Sequence, residues 1–285
     1  MDAELLGPVL TAGLFGLLIG SFLNVVIYRL PKILEREWAA GCAELSGQPL
    51  PEQEPFNLLV PRSRCQACGH QIRWYENIPV ASYLVLGGKC SGCKAGISPR
   101  YPIVELVTGA LFAWCGWHHG PTLAALAWCG FAALLLCLTM IDWDVQLLPD
   151  DYNYSLLWLG LLASVLGLTG VSPANAVMAA LLGYLFLFLI TWVFNKLTGK
   201  QGMGNGDFKL FAALGAWFGW QALIPIILLS CVVGIALWAL MKVLGKVGPE
   251  GHMPFGPFLA GAGFLAMLLG TPTLVTGMAI LMGAT

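Results

Sequence analysis

Charge is what this sequence lacks. Of its 285 residues only 10% are charged and 58% are hydrophobic, with a mean hydropathy of +0.78. A soluble domain carries about 25% charged and about 45–50% apolar residues. Fourteen Lys+Arg and fifteen Asp+Glu cannot cover a water-exposed surface of this size. The scarcity excludes an ordinary soluble globular protein, a disordered chain and a coiled coil. An excess of positive charge is also missing: the formal net charge is −1, so no nucleic-acid partner is expected. What remains is a polytopic membrane protein. Its 35 glycines and 17 prolines suit bent or broken membrane helices.

The first apolar run, residues 7–29, is 23 residues long. At about 1.5 Å per residue it crosses a hydrocarbon core of about 30 Å. Asp2 and Glu4 precede it and no small-residue cleavage site follows, so it is not expected to be a signal peptide. Further spans are expected near 103–118, 121–141, 154–172 and 175–195. Residues 208–241 are split near Gly219–Pro225 into a short and a longer helix, and the last span is near 255–281. Nine of the fourteen basic residues fall between Arg29 and Arg100; the others are Lys196, Lys200, Lys209, Lys242 and Lys246. With eight spans and the N-terminus outside, every Lys and Arg lies in or beside a cytoplasmic segment, as the positive-inside rule requires. The expected fold is an all-α polytopic membrane protein of about eight transmembrane helices with a small cytoplasmic zinc-ribbon-like loop. Its expected divisions are 1–30, first transmembrane helix; 31–102, cytoplasmic four-cysteine domain; and 103–285, membrane-embedded part.

Within the polar segment, Cys65-Gln-Ala-Cys68 and Cys90-Ser-Gly-Cys93 form two CxxC pairs separated by 21 residues. A two-residue spacer lets both thiolates of a pair face one ion, and two pairs complete a tetrahedral shell of soft ligands suited to zinc. The loop is assigned to the reducing cytoplasm, which disfavours disulfides. Four thiolates leave no open coordination position, so the expected role is structural. An Ile stands four residues after each pair, at Ile72 and Ile97. His70 is a replacement ligand only if one cysteine is not used. Cys115, Cys129, Cys137 and Cys231 lie in spans and read as apolar packing residues.

Five of the six aspartates are Asp142, Asp144, Asp150, Asp151 and Asp207, at the ends of apolar runs. A carboxylate beside a membrane helix is costly to desolvate and marks a functional site by default. Two carboxylates brought together cannot both ionise easily, which sets up one base and one proton donor, the chemistry of an aspartic protease. In Gly204-Asn-Gly206-Asp207, glycine permits positive φ and close backbone approach. Two other readings stay open on spacing alone. Asp142 and Asp207 could be helix N-caps, or the aspartates could carry protons in a coupled transporter.

The chain also carries Gly20-Ser-Phe-Leu-Asn24-Val-Val-Ile-Tyr28-Arg29-Leu-Pro31, Arg73-Trp-Tyr-Glu76-Asn77-Ile-Pro79 and Ser98-Pro-Arg100-Tyr101-Pro102-Ile-Val-Glu105. Asp142 through Pro149-Asp150, Gly204-Asn-Gly206-Asp207-Phe-Lys209 and Pro254-Phe-Gly256-Pro257-Phe follow. In this order, together with the paired CxxC motifs, they resemble the type IV prepilin peptidases, bifunctional leader peptidases and N-methyltransferases of type IV pilus and type II secretion systems. The resemblance implies a GxGD aspartic endopeptidase of the bacterial inner membrane, with the N-terminus periplasmic and the active site at the cytoplasmic face. It implies prepilin and pseudopilin substrates, with a short basic leader, a Gly before the cut and a hydrophobic helix after it. Asp207 matches the GxGD aspartate. The first family aspartate is assigned to Asp142, with Asp144 as runner-up, and Asp150 is expected to cap the following helix. The family also methylates the new N-terminal amine with S-adenosylmethionine. No Rossmann glycine motif is visible, and the region of Glu76 and Gly87-Gly88 is the expected methyl-donor site. Asn24 is expected to make an interhelical hydrogen bond, and Arg100 and Glu105 to pin the loop against the second span.

Overall fold

The computed structural model describes residues 3–49, 54–200, 202–245, 253–281 and 283. Asp2, Lys246 and the segment 246–252 lie outside them. The described residues form ten α-helices and no strand beyond two isolated bridges. They divide into two units, Met1–Cys129 and Gly130–Thr285, with helix α4 (Leu123–Val145) running across the boundary.

The first unit is built on α1 (Ala3–Leu45) and α3 (Arg100–His119). Small residues line their seam. A Cβ at Gly16 would sit 2.7 Å from Phe112 Cβ and 2.8 Å from the Thr108 carbonyl; one at Gly20 would sit 2.7 Å from Glu105 Cα, and one at Gly116 2.7 Å from the Pro8 carbonyl. Such backbone approach is how membrane helices gain contact without a hydrophobic driving force. Asn24 donates from Nδ2 to the Tyr101 carbonyl at 3.0 Å, the expected interhelical bond. Glu105 does the pinning through its carboxylate, which accepts from the Val80 N–H at 2.7 Å. That bond holds α2 (Ala81–Val85) and the turn before it.

One expectation changes here. The helix expected to stop at residue 29 continues through Pro31 to Leu45. Proline removes one donor, but the Lys-Ile-Leu-Glu-Arg-Glu-Trp-Ala-Ala run after it consists largely of good helix formers, so the helix resumes.

The second unit is organised around α7 (Asn205–Phe218), in which every residue from Asp207 to Phe218 except Lys209 is buried. Fourteen residues span about 21 Å, too short to cross a bilayer alone. Helices α5 (Asp150–Val165), α6 (Pro173–Thr198), α8 (Trp220–Val243) and α9 (Gly256–Leu269) pack against it. Trp217, fully buried, donates to the Leu156 carbonyl at 2.9 Å and fits over Gly160, where a Cβ would lie 2.6 Å from its ring. Phe131 of α4 packs on Trp217 and Phe218 with centroids 4.9 and 5.5 Å away. The expected break in 208–241 falls at Gly219, whose φ is +76°.

Each of the eight expected spans has a helical counterpart. Four helices are long and apolar enough to cross on their own: α1, α4, α6 and α8. A fifth candidate is α9 with α10 (Thr271–Leu281), bent by 108° at Gly270. Helix α5 ends at Val165, earlier than expected, where Gly167 and Gly170 take positive φ. Cys115, Cys129 and Cys137 are buried and Cys231 is half-buried, in line with apolar packing.

Candidate active site

Two constellations stand out, one in each unit. In the first, the two CxxC pairs form matching knuckles. Cys65 N–H donates to the His70 carbonyl and Cys90 N–H to the Ala95 carbonyl, each at 2.8 Å. Gly69 and Lys94, each directly after its second cysteine, have φ of +74° and +61°. Ile72 N–H bonds the Ser63 carbonyl and Ile97 N–H the Gly88 carbonyl, so the sequence repeat is also a backbone repeat. All four sulfurs lie within 4.8 Å of one another, with Cys65–Cys93 at 3.9 Å and Cys68–Cys90 at 4.0 Å. Tetrahedral zinc with S ligands at about 2.3 Å needs sulfurs about 3.8 Å apart, so this donor set fits a metal ion.

His70 is not part of that cluster. Its Nε2 lies 3.2 Å from Glu76 Oε2 and 3.1 Å from Ser91 Oγ. Glu76 also accepts from the Arg73 N–H at 2.8 Å. That backbone bond first, then Ser91 and His70, hold its carboxyl down at about 2. Glu76 therefore ties the two knuckles together as a carboxylate, through His70 of one and Ser91 of the other. Gly88 has φ +67°, and a Cβ there would sit 3.0 Å from the Tyr83 ring. The two residues expected near the methyl donor thus each have a local structural partner.

The second constellation is a pair of buried carboxylates. Asp142 lies in the last turn of α4 with 5% of its surface exposed, and Asp207 in the first turn of α7 with 8%. They are close enough for the charge of Asp142 to act on Asp207. Each keeps one oxygen, Asp142 Oδ2 and Asp207 Oδ1, buried without a protein hydrogen-bond partner. Burying an unpaired acceptor costs about 1–3 kcal/mol, so the pair is not there for stability. Backbone groups hold the rest: Gly256 hydrogen-bonds Asp142 and Gly204 hydrogen-bonds Asp207.

Two glycines make room for this. A Cβ on Gly256 would sit 2.5 Å from Asp142 Oδ2, and one on Gly206 2.7 Å from Leu148 Cβ. Leu148, itself buried, touches the space of both, being 3.2 Å from a Cβ at Gly256. It is a wedge between the GxGD turn and the start of α9. Neither Gly204 nor Gly206 takes a positive φ; of the two expected roles, close approach applies, and at Gly206 alone, since a Cβ at Gly204 would meet nothing nearer than Asp207 Oδ2 at 3.8 Å. Nor is either aspartate an N-cap. Asp142 is at a helix C-terminus, and Gly204 is the cap residue before Asp207.

Asp144 is exposed. Asp150 opens α5 after the cap residue Pro149 and pairs with Lys209 at 2.6 Å, tying the start of α5 to the start of α7. Sequence reasoning assigned no role to Leu148 or Gly256 and missed the Asp150–Lys209 pair. The quoted motifs contained all four residues, but contacts between distant motifs have no local signature.

Comparison with known proteins decides what this arrangement belongs to. Residues 14–119 match the model of the bacterial peptidase A24 N-terminal domain, and residues 129–239 that of the type IV leader peptidase family. The chain belongs to the type IV leader peptidase family. Its relatives include the prepilin leader peptidase/N-methyltransferase of Pseudomonas aeruginosa, 51% identical over 92% of this chain and 90% of that protein. That of Stutzerimonas stutzeri is 50% identical over 92% and 91%, and that of Aeromonas salmonicida 50% over 90% and 89%. No solved structure matches. Membership of a peptidase family sets the transporter reading aside. The second family match begins at residue 129, where the two units divide within α4.

Proposed function

We propose that this leader peptidase cleaves type IV prepilins and pseudopilins with Asp142 and Asp207 and then N-methylates the new terminus. The observation that carries the reading is the pair of buried carboxylates, each with an unpartnered oxygen, in a chain of this family. One carboxylate takes a proton from water as the hydroxyl adds to the scissile carbonyl carbon. The other carboxyl donates a proton to the carbonyl oxygen. Collapse of the tetrahedral species breaks the C–N bond, and the amine leaves with a proton from the pair.

Zinc is the proposed occupant of Cys65, Cys68, Cys90 and Cys93, as a structural ion. S-adenosylmethionine would supply a methyl group on a cationic sulfonium. Glu76, held ionised, is the side chain of its region suited to that positive charge, and Gly88, with its φ of +67° under the Tyr83 ring, belongs to the same proposed region. The proposed divisions are the first span, 1–30, the four-cysteine domain, 31–102, and the membrane peptidase part, 103–285. The positive-inside distribution supports eight crossings of the bacterial inner membrane, a periplasmic N-terminus and an acid pair at the cytoplasmic face. There a substrate's basic leader stays in the cytoplasm while its apolar stem enters the bilayer.

The test uses purified full-length protein with a prepilin, with and without S-adenosylmethionine. Asp207→Asn and Asp142→Asn should each abolish cleavage and leave methylation of a precleaved pilin peptide intact, because members of one dyad fail as a unit. Asp144→Asn should still cleave. Wild-type cleavage by Asp207→Asn would end the aspartic-peptidase reading. A dead Asp144→Asn beside an active Asp142→Asn would move the first aspartate to Asp144.

A further inference from the structure

The first unit contains a cavity of about 440 Å³ whose lining includes neither residue of the acid pair. One wall is α1, through Phe22, Val25 and Arg29; the opposite wall comes from the turn 58–63 and from Ile72, Arg73, Trp74 and Asn77. Three arginines line it, Arg29, Arg62 and Arg73, and among the described residues no acidic side chain lines it, although Glu76 stands beside Arg73 and accepts its N–H at 2.8 Å.

Arg29 is the fixed charge. It is 7% exposed and donates to the carbonyls of Asn57 at 2.9 Å and Pro61 at 2.6 Å, with the Phe56 ring 5.6 Å away. Carbonyl dipoles hold this guanidinium without cancelling its charge. The turn it anchors is itself braced, since Asn57 Oδ1 accepts from the N–H groups of Leu59 and Val60. Arg62 and Arg73 stand exposed around the cavity. Arg73 donates to the Tyr75 hydroxyl, a neutral partner. A low-dielectric concavity with an excess of charge of one sign concentrates the opposite charge.

The apolar wall identifies which anion. Phe22 and Val25 belong to the last turns of the apolar run of α1, and Phe22 is 46% exposed. From Phe22 to Arg29 the helix rises about 10 Å, so the cavity passes from membrane hydrocarbon to guanidinium within one headgroup depth. Trp74, 82% exposed, is the residue type that populates this interface. A soluble anion would leave the apolar wall unused. The cationic sulfonium of S-adenosylmethionine would face an excess of positive charge, three arginines against the neighbouring Glu76.

We propose that this cavity binds an anionic phospholipid, its phosphate on Arg62 and Arg73 above the fixed charge of Arg29 and its acyl chain along Phe22 and Val25. Charge-assisted hydrogen bonds from guanidinium to phosphate hold the headgroup. The inference rests on α1 crossing the membrane and is independent of which residues cleave or methylate.

The test is lipid retention by the full-length protein, purified in detergent with equal phosphatidylglycerol and phosphatidylcholine and read by native mass spectrometry. The wild type should retain phosphatidylglycerol preferentially. Arg62→Gln with Arg73→Gln should lower that preference about twenty-fivefold, at about fivefold per arginine. Arg62→Lys with Arg73→Lys, which keeps the charge on a different scaffold, should retain most of it and so separates lost binding from lost folding. Equal retention of the two lipids by the wild type would overturn the proposal, as would an unchanged preference in the Gln pair. Loss of the preference in millimolar inorganic phosphate would make this a soluble-anion site. Displacement of the lipid by S-adenosylmethionine, or by an acidic segment of a prepilin peptide, would assign the cavity to that ligand instead. Cleavage is not read here, so failure leaves the peptidase assignment standing.

Discussion

Asp142 and Asp144 are two residues apart on one helix, about 200° around its axis. That rotation buries one and exposes the other. The sequence made both conspicuous, because a carboxylate at the end of an apolar run is expensive in either position. What it could not display is the neighbour that fixes Asp142, since Gly256 is more than a hundred residues away and its contribution is a missing Cβ. Gly256→Ala should therefore be damaging although it adds one methyl. The methyl would sit 2.5 Å from Asp142 Oδ2, so the carboxylate must turn away. Overpacking of this kind costs about 1–3 kcal/mol. Spent at the reacting groups, that is about a fivefold to 150-fold loss of kcat. Steady-state cleavage should show the loss in kcat with KM little changed, while methylation of a precleaved peptide persists. A variant that cleaves at the wild-type rate would remove Gly256 from the support of the acid pair.

At the level of elements, hydropathy located the helices, and their ends and breaks were harder to read. The first apolar run ends at residue 29 and the helix does not, while Gly270 lies within an apolar run and bends the chain by 108°. Both outcomes depend on what packs alongside, which a single run of residues does not encode. The α1–α3 seam follows the same logic. Gly16→Ile should destabilise the first unit by about 1–3 kcal/mol, because its Cβ meets Phe112 and the Thr108 carbonyl. Gly7→Ala on the same helix, with nothing within 4 Å, should be neutral or stabilising by up to about 1 kcal/mol. Reversible unfolding in mixed micelles measures both, and equal effects would mean that close packing is not what joins these helices. The knuckles were legible down to their ligands because CxxC is a local pattern whose geometry is set by its own turn. Cys65→Ser should lower bound metal, measured by elemental analysis, and open residues 54–99 to protease, since structural zinc contributes folding free energy. Wild-type protein purified without metal and with its thiols oxidised would exclude the zinc site.

For the whole molecule, the arrangement of charge carries the last expectation. The acid pair can meet a substrate whose basic leader remains in the cytoplasm only if the GxGD turn faces that side. Its position is argued from Lys196 and Lys200 just before it and Lys209 just after, because basic residues near span ends are retained on the cytoplasmic side. The family match speaks to chemistry and leaves sidedness to this argument. Helices α5 and α7 sharpen the question, since neither is long enough by itself to be counted among the candidate spans. If one of them enters and leaves by the same face, the parity of the crossings changes and later segments exchange sides. A Cys placed at Lys200, in a background freed of competing thiols, should resist an impermeant maleimide in intact cells and react once the inner membrane is opened. A second Cys at Thr122, between α3 and α4, should label from outside in the same cells, because one crossing separates it from the four-cysteine segment. Labelling of both positions from outside would place the acid pair away from the basic leader. The peptidase would then have to draw its substrate's cut site across the bilayer before hydrolysis.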